Sequence, residues 1–241
     1  MGFEYYIAAL GLMVFSLIVQ ANLKSKAAKG SKVVAGSYKT ANQVVEEMLR
    51  SHGIYDITID HRPGQLTDCY SPKENKIYLS DTTYNQNTVT AIAVAAHEAG
   101  HAVQDAENMF IYRIRQMLAP VAGFASQAGF WLTILGVMIA GYSYNQANNG
   151  NAALGYAVST FGVIVYSVSF LFYLVMLPVE RNASNRAYKD MKEYRWVSED
   201  QKHLAYSVLR AAGDTYAIAL ASSALTLFRL LLIRGGGRNR R

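Results

Sequence analysis

The sequence predicts a mainly α-helical membrane protein, with about four transmembrane or membrane-associated helices and a small α+β part. Three observations predict it. Half of the 241 residues are hydrophobic and only 17% are charged, below the roughly 25% typical of soluble domains. Four apolar stretches each approach the ~20 residues that cross a bilayer. The charged residues collect in blocks between those stretches, which suits membrane topology rather than a nucleic-acid-binding face. The bilayer is therefore an expected partner and nucleic acid is not. A single cysteine, Cys69, excludes an intrachain disulfide.

The elements follow in order. Residues 1–23 form an N-terminal anchor, apolar from about Tyr5 to Leu23. No basic leader precedes this run and lysines follow it, so it reads as retained rather than cleaved. Residues 24–118 hold the first water-facing part. In it, "TANQVVEEMLRS" (40–51) predicts a helix capped by Thr40, with Gln43 closing a capping box and Gly53 beyond its end. "ITID" (57–60) and "KIYLS" (76–80) predict strands, and "SPKEN" between them has turn chemistry. An alanine-rich helix runs from about Thr88 to Asp105.

Residues 123–177 form a transmembrane hairpin. Its second half, Leu154–Leu177, has no charge and no Asn or Gln. In 178–214, Pro178 opens a helix at its preferred early position, and Ser198 with Gln201 caps another through Leu209. Residues 215–241 are a C-terminal apolar helix, Thr215–Ile233, broken by Arg229 and followed by a basic tail. Arg229 must snorkel to the interface or face protein.

Basic residues set the sidedness. Segment 24–118 carries eleven Lys or Arg and 178–214 carries seven, whereas 1–4 and 142–153 carry none. The positive-inside rule puts the two basic segments in the cytoplasm. The expected location is a bacterial plasma membrane with the functional residues on the cytoplasmic side. The tail "RGGGRNRR" opposes this if the last segment crosses, and agrees if that segment is re-entrant or interfacial.

Within the alanine-rich helix stands His97-Glu98-Ala99-Gly100-His101. Residues four apart share a helix face, so the two imidazoles can bind one zinc ion. Glu98 beside them has the place of a general base in the HExxH pattern. Buried among alanines, two histidines and a glutamate without a metal would leave costly unpaired polar groups. Gly100 costs roughly 1 kcal/mol against Ala in a helix, and clearance beside the metal is the expected compensation.

A catalytic zinc needs a third protein ligand. Asp105 continues the four-residue series, but on a straight helix it lies about 12 Å from His97. It reads as a solvated helix-end carboxylate, and Glu107 approaches only if the helix breaks. Glu180, in the first turn after Pro178, is the best distant candidate, with a helix-capping role as its alternative.

"AVAAHEAGHAVQ", then "LPVERNASNRA" after two apolar spans, together with "LTDCYSPKENKIYLSDTTY", resembles the YugP-type membrane-bound neutral zinc metallopeptidase family over nearly the whole chain. The resemblance implies a zincin-like α+β domain holding one Zn2+. His97, His101 and Glu180 would be ligands and Glu98 the catalytic base. The layout is more remotely similar to gluzincin membrane proteases, where an aspartate follows the ligand glutamate by four residues and orients a histidine. Here that position is Ser184, a neutral and weaker partner. In those relatives a sheet-edge strand binds substrate by strand addition, and "NKIYLS" (75–80) has that place.

The transition state also needs an oxyanion donor. Arg186 and His203 are the leading candidates, with Tyr188 and Tyr216 beside them. Arg186 alternatively pairs with an acidic neighbour, and His52 and His61 read as surface residues. The expected activity is a membrane-embedded zinc endopeptidase acting on a peptide or protein substrate near the membrane. The alternative is a zinc-stabilised scaffold or chaperone-like partner without turnover. A transporter is disfavoured, because the apolar segments lack paired charges.

Overall fold

A computed structural model describes residues 3–145 and 149–236. The elements are α1 (Phe3–Gly30), α2 (Ala41–Ser51), β1 (Thr58–Arg62), β2 (Cys69–Ser71), β3 (Lys76–Ser80), α3 (Val89–Ala106), α4 (Phe110–Asn145), α5 (Asn149–Glu193) and α6 (Lys202–Gly236). A 3-10 turn, Glu199–Gln201, precedes α6. The fold is mainly helical, with one small sheet. Four helices, α1, α4, α5 and α6, are long and apolar enough to cross a membrane.

Two expected breaks are absent. Pro178 lies inside α5 instead of opening a helix. Proline forfeits one backbone bond, but a chain leaving an apolar span keeps the helix because no water replaces the others. Likewise α6 runs unbroken from Lys202, where the sequence suggested a stop at Leu209 and a new segment at Thr215. Gly213 weakens a helix without ending one.

The chain divides into two compact units. One comprises Met1–Val14, Ile114–Leu177 and Ala217–Arg241. In it α4 and α5 pack backbone to backbone through glycines seven residues apart. A Cβ on Gly129 would lie 2.4 Å from Tyr166 N, and one on Gly136 2.3 Å from Ser159 N. Gly155 and Gly162 answer from α5, each 2.4 Å from an α4 backbone nitrogen. Small residues substitute close van der Waals packing for the hydrophobic drive that lipid removes. Phe124, Trp131, Met138 and Ile164 face outward, at least 60% exposed. That is a surface suited to acyl chains rather than water.

Arg229 faces protein. Its guanidinium lies 4.5 Å from the Tyr5 ring centroid and 5.6 Å from that of Tyr6. Arg234 Nε donates to Thr160 Oγ1 at 2.9 Å. The C-terminal part of α6 therefore lies beside the start of α1 and beside Thr160 of α5 in this unit, and α6 itself is one continuous helix. The arginines beyond Gly236 lie outside the described residues, as does the middle of the 142–153 connection.

The other unit comprises Phe15–Arg113 and Pro178–Tyr216. Thr40 and Gln43 form the reciprocal cap of α2, which buries Val44, Val45, Met48 and Leu49. Six alanines of α3, from Ala91 to Ala102, are buried as well. Their small side chains let neighbouring elements approach on every side. Trp196, fully buried, donates from Nε1 to Glu47 Oε2 at 2.7 Å.

The sheet order is β1-β3-β2, with β1 parallel and β2 antiparallel to β3. This corrects the substrate-strand expectation for residues 75–80. β3 is the central strand, so both its hydrogen-bonding edges are already used and no further strand can add there. β2 is the edge facing α3. At three residues it is too short to show a period-two pattern in sequence.

Candidate metal centre

Helix α3 delivers His97 and His101 on one face, and α5 brings Glu180 against them from 83 residues away. Glu180 Oε2 lies 3.1 Å from His97 Nε2 and 3.5 Å from His101 Nε2. All three candidate ligand atoms lie within 4.8 Å of one another. Two donors on a tetrahedral zinc at about 2.05 Å would stand about 3.3 Å apart. The two measured separations bracket that value, so the residues fit such an ion. Glu180 and His101 are buried and His97 is nearly so. Glu180 lies three residues past Leu177, where the apolar run Leu154–Leu177 ends. Burial alone would raise its pKa, but hydrogen bonds to His101 and His97 outweigh it and hold the carboxyl well below the usual range.

Each imidazole is also held from behind. Ser184 Oγ lies 3.1 Å from His97 Nδ1, and Gln104 Oε1 lies 3.0 Å from His101 Nδ1. With Nδ1 of each ring turned to these oxygens, Nε2 is the nitrogen that faces Glu180 and would ligate a cation there, and the partners behind it set the ring orientation. The Tyr112 ring stacks on His101 with centroids 6.1 Å apart.

Gln104 is fully buried and was not singled out from sequence. Its Nε2 donates to Val179 O at 2.8 Å and to Asn182 Oδ1 at 2.9 Å, tying α3 to α5. Its signal was available: a polar residue three positions after His101, on a helix otherwise lined with alanine. Asn182 also accepts from Arg186 Nε at 2.8 Å. Arg186 in turn grips Glu107 with both terminal nitrogens, at 2.8 and 2.5 Å. That guanidinium holds the Glu107 carboxyl below its usual range. The helix does end at Ala106, but Glu107 turns to Arg186 rather than to the histidines.

Gly100 has a different cause from the one expected. A Cβ there would lie 2.8 Å from Ala183 O and 3.3 Å from Ala183 C. The glycine lets α5 seat its backbone on α3, which is what brings Glu180 and Ser184 into reach.

Glu98 is half-buried, and its Oε2 accepts from the Tyr70 backbone N–H at 3.0 Å. The Tyr70 hydroxyl donates to Asp105 Oδ2 at 3.0 Å. Asp105 is thus a half-buried acceptor, not a solvated helix end. Burial, then the Asp105 carboxylate, raises the Tyr70 pKa strongly and keeps the phenol protonated. Beside it, burial raises the Cys69 thiol, opposed by the charge of Arg62.

His203 is exposed, and the Tyr188 ring packs against that of Tyr206, centroids 5.0 Å apart and planes tilted by 51°. Tyr216 shares a cavity with His97 and Glu98. His52 and His61 sit near the surface, facing Asp190 at 3.0 Å and Asp81 at 2.6 Å.

Comparison with known proteins now adds to this geometry. The family described as "Putative neutral zinc metallopeptidase" matches residues 5–235. The chain belongs to that family. It is 35% identical over 233 residues to the "Putative membrane protease YugP" of Bacillus subtilis (strain 168), covering 97% of this chain and 96% of that protein. No solved structure matches. The family's name implies zinc, and the His97, His101 and Glu180 cluster is where such an ion fits.

Proposed function

We propose that the protein is a membrane-embedded zinc endopeptidase with a gluzincin-like site. The observation that carries this reading is a cluster of three candidate ligands beside a carboxylate, Glu98, that is not one of them. His97, His101 and Glu180 would hold the ion. When bound, zinc supplies Lewis acidity toward a water and a peptide carbonyl. Glu98 accepts the attacking water's proton and passes it to the leaving amine. The Tyr70 N–H fixes one Glu98 oxygen at 3.0 Å and so aims the other. Tyr216 is the phenol best placed to donate to the developing oxyanion, because it lines the same cavity. Arg186 and His203, the donors suggested by sequence, suit that role less well. Arg186 is committed to Glu107 and Asn182, and His203 is outside that cavity's lining.

The basic segments 24–118 and 178–214 support a cytoplasmic site in a bacterial plasma membrane, with peptide or protein substrates reaching it near the bilayer. The alternative, a zinc-stabilised scaffold without turnover, would want a closed four-ligand site and no base. Glu98→Gln decides between them. The purified variant should bind zinc as the parent does and lose peptide cleavage by at least a hundredfold. Undiminished cleavage sinks the mechanism.

A further inference from the structure

A cavity of about 200 Å³ opens beside His97 and Glu98. Its walls are Leu23 and Ala27 of α1, Val94 of α3, and Val208, Leu209 and Ala212 of α6. All belong to the unit that carries the candidate metal centre. Val94 precedes Glu98 by four residues, so this wall continues the helix face of the base about 6 Å away. Asp68 also reaches the cavity, but its two oxygens accept from Ser80 N and Oγ at 2.8 Å each. Thr215 and Tyr216 line it too, the Thr215 hydroxyl donating to Ala212 O at 2.7 Å, and the rest of the wall away from His97 and Glu98 is apolar.

An apolar cavity of about 150 Å³ stays dry and takes benzene, so this one is large enough for a Leu, Ile, Met or Phe side chain. Along an extended peptide one residue advances about 3.3 Å. A carbonyl placed beside Glu98 therefore sets a neighbouring side chain at the cavity mouth. We propose that this cavity is the specificity pocket of the peptidase reading above, on which it rests, and that it selects a large apolar residue flanking the scissile bond. Folded water-soluble proteins bury such residues. The substrates it favours are accordingly unfolded chains or segments drawn from a membrane.

The test uses the full-length zinc-loaded protein in detergent and a mixture of unfolded peptides, with cleavage sites mapped by mass spectrometry against Glu98→Gln. Leu, Ile, Met or Phe should be enriched beside the Glu98-dependent cleavage sites. Val94→Phe, which fills the cavity, should lower the ratio of kcat/KM for a Leu-flanked over an Ala-flanked peptide at least tenfold. Ala212→Leu, from the opposite wall, should shift the ratio the same way. The parent's cleavage profile tests the assignment even if both variants misfold.

Glu98-dependent cleavage indifferent to the flanking side chain overturns the pocket alone. So does phospholipid retained by the parent in native mass spectra and displaced by Val94→Phe, which would give the cavity to an acyl chain. No Glu98-dependent cleavage at all overturns the peptidase reading and the pocket with it.

Discussion

Replacing Gly100 with alanine tests how the two helices of the candidate metal centre are held together. Within α3 the change is favourable, by roughly 1 kcal/mol of helix propensity. Between helices it is not, because the new Cβ meets Ala183 O at 2.8 Å. Ordinary contact begins at about 3.4 Å, so α5 must withdraw by about 0.6 Å. The clash is with backbone, which cannot swing aside as a flexible side chain would. Overpacking of this kind costs typically about 1–3 kcal/mol, enough to cancel or exceed the propensity gain.

The larger effect falls on the metal. Glu180 precedes Ala183 by three residues and moves with it, whereas His97 and His101 stay on α3. Metal–ligand bonds tolerate about 0.2 Å, so a 0.6 Å retreat weakens the third bond. It also lengthens the Ser184 contact to His97 from its 3.1 Å. Zinc affinity should fall by about 10–100-fold, the range seen when a ligand's support is lost. Competition with a chromophoric chelator in detergent measures it, alongside thermal unfolding of the metal-free protein. Unchanged zinc affinity together with a raised Tm would show that Gly100 answers only to local helix preference, and would refute the close-approach reasoning.

Other outcomes follow from the same geometry. Gln104→Leu removes the acceptor of His101 and the donor that ties Val179 O and Asn182 to α3, so zinc affinity should drop about tenfold or more and stability by about 1–3 kcal/mol. Equal chelator competition by parent and variant would count against it. Gly136→Leu cannot be accommodated 2.3 Å from Ser159 N, and should lower the unfolding temperature in detergent while leaving zinc stoichiometry at one. A variant as stable as the parent would show that the α4–α5 packing has been misread. Zinc added to metal-free protein should raise Tm with concentration, because binding to the native state alone shifts unfolding by mass action. A Tm indifferent to zinc would remove the ion from the folded protein.

Much of the local structure was legible because it depends on near neighbours. The capping box of Thr40 and Gln43, the turn between the strands, and the helix bearing His97 and His101 are written in residues three or four apart. The two continuous helices were not. Pro178 signals a start in water, yet the apolar chain before it leaves helix as the only economical way to satisfy its backbone. Residues 75–80 read correctly as a strand, but their place between β1 and β2 depends on partners that no local pattern names.

By itself, the sequence determined the four apolar helices, the metal-ready His97-Glu98-Ala99-Gly100-His101 face, and a shortlist headed by Glu180. Those features follow from composition and helical period, which are properties of one segment at a time. Tertiary structure alone decided that Glu180 Oε2 reaches both imidazoles, that Ser184 and Gln104 stand behind them, and that Arg186 turns away to Glu107. It also decided that Gly100 is a seat for α5. These are meetings between segments about eighty residues apart, and they depend on how closely two helices pack, a distance set by every small side chain along their contact.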